Sequence, residues 1–387
     1  MSAPEIRIDQ LTGLRTILAP GRAERPDAFE QQRRAPSQEA LESCPFCEGR
    51  EDRTPPELWA ARPSGGPPDT PGWSARAVPN LYPILGETAR GEDLESESRG
   101  GGADREARGS SSTESARARV GGPQVAESGF ASAGDPLHES RRAGEPDLFR
   151  SLPAEGDHEV IVSSPDHVTT LSDLSEEQFA AAVSAWRERM RVCAESASYC
   201  HLIVNEGAEA GASLEHSHAQ LYGLPFVPAA IARERERFGA YNDRTMGGHL
   251  LSDVVADEVR RGDRLVAVDD EAVLICPWAS RAPFELRVIP RTPAPRFEAD
   301  GVLGTAMLRT ALIGLARVFG ESPPLSLWVR TAPDGAEEFH WHIDVAPRLT
   351  IPAGFELGTG VEINVYPPER AAADLREAIG DVPSAAL

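Results

Sequence analysis

Long apolar runs are missing from this chain: no stretch approaches the roughly 18 consecutive apolar residues that a membrane-spanning helix requires, so no span is expected. Cysteine is scarce and odd in number, five in 387 residues, which argues against the disulfide framework of a small secreted protein. Positive charge is also short. Against 61 Asp and Glu there are only 39 Lys and Arg, a net charge of −22, so the summed field repels nucleic acid and anionic lipid surfaces. The N-terminus MSAPEIRIDQ has no basic stretch followed by an apolar one, and a cytoplasmic location is expected.

What is present is enough chain for two domains, or for one large domain built from two halves. From Gly86 to Arg150 the composition shifts to Gly, Ser, Ala, Arg and Glu, as in SRGGGADREARGSSSTESARARVGG. Such a segment cannot bury enough apolar surface to offset the entropy of ordering, and a disordered insertion is expected there.

After the insertion one order of elements occurs twice. The first copy reads as a strand at His158–Ser163, a helix from Ser175 to Ala197 opened by SEEQ, a strand at His201–Glu206, and then HSHAQLYG. The second reads as strands near Arg264–Val268, Val273–Cys276 and Leu286–Pro290, a helix over Val302–Phe319, a strand at Leu325–Thr331, and then HWHIDV. A duplicated α+β unit is the economical reading.

The stretch NEGAEAGASLEHSHAQLYGLP carries the clearest chemistry. A small-residue turn precedes His216, His218 and Gln220, which on a strand project from one face. A neutral imidazole can attack phosphorus near neutral pH, and an amide donor can hold the charged oxygens. Cys44 and Cys47 stand at C-x-x-C spacing, half of a tetrahedral zinc site that His167 and His216 would complete, or else a redox-active thiol pair. Arg22 and Arg25 are suited to clamping a diphosphate, or are a solvated pair. The second His-x-His, His340 and His342, reads as a metal site with Glu234 or as hydrogen-bonding groups beside a sugar.

Taken in order, the segments IRIDQLTGLRTILAPGRAERP, CPFC, VPNLYP, HEVIVSSPDHVTTLSDLS, NEGAEAGASLEHSHAQ, CPWASRAPFELRVIPR and FHWHIDVAPRLT resemble the galactose-1-phosphate uridylyltransferases, the duplicated branch of the histidine triad superfamily. The resemblance implies an α+β fold of two histidine-triad-like α/β halves that form an antiparallel sheet with flanking helices, with a zinc-binding N-terminal segment. On that basis residues 1–85 are the N-terminal part of the first half, 86–150 the insertion, 151–235 the remainder of the first half, and 236–387 the second half. The resemblance also implies His218 as the nucleophile that becomes uridylylated, Gln220 as support for the phosphoryl group, and Cys44, Cys47, His167 and His216 as ligands of a structural zinc. It matches Arg22, Arg25, Asn80, Asn205 and Ser213 to contacts with the nucleotide and its phosphates, and Glu362 to the hexose. His340 and His342 fall beside the substrate. A second metal, held in some members by a Glu and three histidines, would find Glu234, His340 and His342 here but Arg330 at the fourth position, which speaks against it.

The implied reaction is ping-pong, in galactose metabolism. His218 takes UMP from UDP-glucose, releasing glucose 1-phosphate, and galactose 1-phosphate then takes UMP from the histidine. The expected partners are a nucleotide sugar and a hexose 1-phosphate, and the resemblance suggests a homodimer. HSHAQ and HWHIDVAPRLT also resemble relatives that act on adenine nucleotides by phosphorolysis. An ADP-sugar or dinucleoside polyphosphate phosphorylase is therefore the alternative, with a zinc-stabilised nucleotide-binding protein without turnover as the rival from another class.

Overall fold

The computed structural model describes residues 4–21, 38–86 and 152–380. The expected insertion lies outside these residues except for Gly86, and so do Arg22 and Arg25.

The chain begins with a hairpin, β1 (Glu5–Ile8) and β2 (Arg15–Leu18). Then come helix α1 (Gln38–Ser43) and strands β3 (Trp59–Ala61), β4 (Ala75–Pro79) and β5 (Asp157–Val162). Helix α2 (Glu176–Cys193) leads to strands β6 (Tyr199–Glu206) and β7 (His218–Leu224). Two helices follow, α3 (Ala229–Thr245) and α4 (Leu250–Arg261), then strands β8 (Leu265–Val268), β9 (Ala272–Ile275) and β10 (Leu286–Pro290). Helix α5 (Thr305–Phe319) precedes β11 (Leu325–Arg330) and β12 (His342–Pro347), and the chain closes with α6 (Gly354–Thr359), β13 (Glu362–Asn364) and α7 (Pro368–Ile379).

Among the described residues, ten strands form one fully antiparallel sheet in the order β3-β4-β5-β7-β6-β11-β12-β10-β9-β8. That order is a palindrome about the β6–β11 junction, where Leu327 pairs with Val204. Each half runs strand, helix, strand and hairpin return, with α2 between β5 and β6 and α5 between β10 and β11. The duplication read from the sequence is thus visible in the strand order, although the boundary expected at 235/236 falls inside α3. β13 joins β2 in parallel to make a separate three-stranded sheet.

Helix α2 starts where Ser175 Oγ accepts the Gln178 N–H, which satisfies one of the free amides of the first turn. Phe179, Ala182, Val183, Trp186 and Met190 recur at helical spacing and are buried on one face of the sheet. From α5, Met307, Leu308, Ala311, Leu312 and Leu315 join the same core. Each large side chain removed from water there contributes roughly 1.5–3 kcal/mol. Between the helix and the sheet, Arg189 forms a two-pronged buried pair with Glu159, at 2.7 and 2.8 Å.

Among the described residues the opposite face is covered at its two ends. At one end Phe238, Leu250, Leu251 and Val255 of α3 and α4 pack on Val273, Ile275 and Ile289. At the other, Cys44, Phe46 and Trp73 pack on Val78, Val160 and Val162. Between these covers, the register Gln220↔Ile203↔Trp328↔Asp344, with Arg330↔His342, puts a polar strip on the central strands.

Candidate active site

The N-terminal cover brings Cys44 and Cys47 to the two histidines matched with them in the sequence. Cys44 Sγ lies 3.5 Å from His216 Nδ1, and Cys47 Sγ lies 3.4 Å from His167 Nδ1 and 3.7 Å from His216 Nδ1. A tetrahedral zinc with Zn–S of about 2.3 Å and Zn–N of about 2.05 Å has S···N edges of about 3.5 Å, so these four donors fit it. All four ligand atoms fall within 4.8 Å of one another. His216 Nε2 donates to the Ser164 carbonyl at 2.9 Å, which leaves Nδ1 as the ligating atom. Burial lowers the His216 pKa to about 4, so the imidazole is neutral, as a ligand must be. Burial and the adjacent Cys44 sulfur push the Cys47 thiol up to about 11; a bound cation would reverse that.

His218 opens β7, two residues beyond His216. The expectation that both histidines sit on the strand is corrected here: β7 starts at His218, and His216 precedes it with its ring drawn to the thiols. His218 Nδ1 donates to the His216 carbonyl at 2.8 Å, which fixes the tautomer with the lone pair on Nε2. Burial lowers its pKa and keeps the ring neutral, and Phe46 packs its edge on it at 5.2 Å between centroids. The short segment between Cys44 and Cys47 therefore presses on the histidine through Phe46 while placing the thiols.

Gln220 and Tyr222 follow on the same face of β7. Gln220 Oε1 accepts the Tyr222 hydroxyl at 2.8 Å and lies 3.2 Å from His158 Nε2, and His158 in turn lies 3.0 Å from Asn80 Nδ2. Asn80, His218 and Gln220 are thus gathered around β4, β5 and β7. Asn205 is on the adjacent β6 and pairs in register with Ser326. Ser213 is exposed in the turn before His216, where Gly207 and Gly211, both at φ of 84°, let the chain reverse. Glu362 is on β13 in the small sheet, its pKa raised by burial, with Arg281 opposing that shift. His158 and Tyr222 were not singled out from the sequence. The alternation His218, Gln220, Tyr222 was the available signal for the tyrosine.

The second His-x-His repeats the local geometry of the first. His342 Nδ1 donates to the His340 carbonyl at 3.2 Å, and His340 Nε2 donates to the Pro290 carbonyl at 3.0 Å. Here, however, His342 Nε2 faces Glu234 Oε1 of α3 at 3.4 Å. Arg330 Nε stands 4.0 Å from the Glu234 carboxylate and 3.9 Å from that of Asp344. Its guanidinium supplies the positive charge that a cation would bring, so Glu234, His340 and His342 do not fit a second metal.

A neutral histidine with a fixed tautomer, an amide beside it and a thiol–imidazole cluster behind it have the chemistry that attack on phosphorus would require. The match to known proteins agrees. Residues 107–228 match the family model described as galactose-1-phosphate uridyl transferase, N-terminal domain. A galactose-1-phosphate uridylyltransferase of Streptomyces lividans is 30% identical over 258 residues, 60% of this chain and 72% of that protein. The chain belongs to the galactose-1-phosphate uridylyltransferase family and is an enzyme of its nucleotidyltransferase type. An ADP-glucose phosphorylase of Arabidopsis thaliana is 28% identical over 386 residues, 97% of this chain and 93% of that protein. A crystal structure of an ADP-glucose phosphorylase from Arabidopsis thaliana with bound ADP-glucose superposes with a TM-score of 0.68 at 26% identity, covering 97% of this chain and 99% of that one.

Proposed function

We propose that the protein moves a nucleotidyl group from a nucleotide sugar to an acceptor phosphate in two steps through His218. The observation that carries this reading is the His218 Nδ1 bond to the His216 carbonyl, which leaves Nε2 as the nucleophilic nitrogen beside Gln220. Nε2 attacks the α-phosphorus, the bond to the bridging oxygen breaks, and the sugar 1-phosphate leaves. An acceptor phosphate oxygen then attacks the same phosphorus, and the histidine nitrogen recovers its lone pair. Gln220 donates to the non-bridging oxygens. Arg22 and Arg25 would clamp the diphosphate, Asn80, Asn205 and Ser213 the nucleotide, and Glu362 the hexose. His340 and His342 belong beside the substrate in this proposal, in the second of two histidine-triad-like halves divided as the sequence suggests. Cys44, Cys47, His167 and His216 would hold a structural zinc, which ties the N-terminal cover to the strand of the nucleophile.

For the substrate, the pairing with ADP-glucose and inorganic phosphate is favoured by the similarity to the phosphorylase, which runs through both halves of the chain. The second reading, UDP-glucose with galactose 1-phosphate, is favoured by the 30% identity to the Streptomyces enzyme. A cytoplasmic homodimer is part of the same proposal; among the described residues no helix is long and apolar enough to cross a membrane.

The test is exchange of labelled glucose 1-phosphate into ADP-glucose or UDP-glucose without acceptor, followed by product analysis with phosphate or galactose 1-phosphate added. Exchange into ADP-glucose, and ADP formed with phosphate, supports the first pairing; exchange into UDP-glucose with UDP-galactose formed supports the second. Absence of exchange with both nucleotides would leave a binding protein.

A further inference from the structure

Gln220 carries an amide whose two ends differ in chemistry but scarcely in shape. If the reading of Gln220 above holds, its NH2 must face the phosphoryl oxygens; turned over, its carbonyl would repel them. Its Oε1 is engaged twice, by the Tyr222 hydroxyl at 2.8 Å and by His158 Nε2 at 3.2 Å. No hydrogen bond to its Nε2 occurs among the described residues, so the NH2 is the end left for a ligand.

A phenol can donate or accept, so Tyr222 alone tolerates either orientation of the amide. His158 does not. Its Nδ1 accepts the backbone N–H of Ile84 at 3.3 Å, which puts the ring proton on Nε2, where it can only donate. Asn80 Nδ2, 3.0 Å from that nitrogen, favours the opposite tautomer. A backbone amide cannot reverse its polarity, whereas the half-exposed Asn80 side chain can turn over, at the cost of the bond by which its Oδ1 accepts the Tyr82 N–H at 2.8 Å. His158 is itself held: it is buried, it stacks on Tyr222 at 4.2 Å between centroids and 26° between planes, and burial keeps it neutral.

We infer that His158 and Tyr222 are positioning residues for nucleotidyl transfer, fixing the Gln220 amide with its NH2 toward the phosphorus attacked by His218. His158 sets the sense of the amide and Tyr222 its angle. Neither touches the reacting atoms, and both act through Gln220.

The test is the single-turnover release of glucose 1-phosphate from ADP-glucose and from UDP-glucose by the zinc-loaded full chain. Losing one oxyanion donor outright costs about 10²–10³ in rate, and misorienting it costs part of that. His158→Ala is therefore expected to slow release by about 10–100-fold with the half-saturating concentration within about twofold, and Tyr222→Phe by about 3–10-fold. His158→Gln, which can still donate, should restore most of the rate. In a Gln220→Ala background the His158→Ala change should cost less than about twofold, because two residues acting through one amide are not additive. A purely structural role predicts effects that multiply, and that result would overturn the inference. So would a 15N spectrum with the His158 proton on Nδ1. If Gln220→Ala is slow but both His158→Ala and Tyr222→Phe are fast, only the positioning role fails. If Gln220→Ala is fast, or the native chain releases no glucose 1-phosphate, the reading beneath it fails too.

Discussion

His218 and His342 occupy equivalent places in a duplicated sheet, and their backbone anchors are the same; what separates them is the group met by Nε2. For His342 that group is the Glu234 carboxylate, at 3.4 Å. His218→Ala should therefore leave a folded protein whose transfer falls by several orders of magnitude, as measured by sugar 1-phosphate release. His342→Ala should retain the covalent step. Asp344 belongs to the same charged strip. Burial alone would raise its carboxyl, but Arg287, His342 and Arg281 outweigh that and hold it below the usual carboxylate range. Arg287 Nε donates to Asp344 Oδ1 at 2.7 Å, and removing one partner of a fully buried pair costs roughly 3–5 kcal/mol. Arg287→Met is expected to lower the urea midpoint by a matching amount at pH 7. Because the folded pKa of Asp344 is depressed, the native pair stabilises above the unfolded carboxyl pKa of about 3.9, and that stability is lost as pH falls. The gap between variant and native protein should therefore narrow in acid.

At the scale of elements, the segment around Cys44–Cys47 contributes twice, through its thiols and through Phe46 against His218. Cys44→Ser is expected to lower zinc content by elemental analysis and to reduce the unfolding midpoint, since structural zinc binding is folding free energy. Unchanged metal content would remove Cys44 from the ligand set. The sheet is equally close at Gly156: its φ is +143°, and a Cβ there would meet the Gly223 carbonyl oxygen at 2.2 Å. Gly156→Ala should cost at least the roughly 1–3 kcal/mol typical of overpacking, read from the same urea titration. The capped helix α2, the apolar α5 and the strands beside them were legible because period and cap agree. Helices α3 and α4 were not: the stretch ARERERFGAYNDRT received no assignment beyond Glu234, and the fold shows Glu234 and Phe238 of α3 buried. The pairing of Gln220 with His158 was also hidden, since 62 residues separate them and no local pattern links strand β5 to strand β7.

For the molecule as a whole, the palindromic sheet explains how one set of elements yields two unlike faces. The helices α2, α5 and α7 cover one side throughout. Among the described residues the other side is left uncovered along its central strands, where in the proposed mechanism one copy of the His-x-His uses its Nε2 for chemistry and the other is locked by Glu234 and Arg330. The duplication and the cysteine–histidine set were legible in the sequence, because repeats and ligand spacing are written locally. For the second copy the resemblance named Glu234, His340, His342 and Arg330 together, but the contacts that lock His342 were not legible, since they depend on how α3 lies across β12. In the proposed mechanism His218 carries the nucleotide covalently. Its most direct measurement is intact-protein and peptide mass spectrometry after mixing with ADP-glucose or UDP-glucose in the absence of acceptor. One nucleotidyl group per chain is expected, located on His218 and discharged by phosphate or galactose 1-phosphate. An unmodified chain that still turns over, or an adduct on another residue, would contradict it.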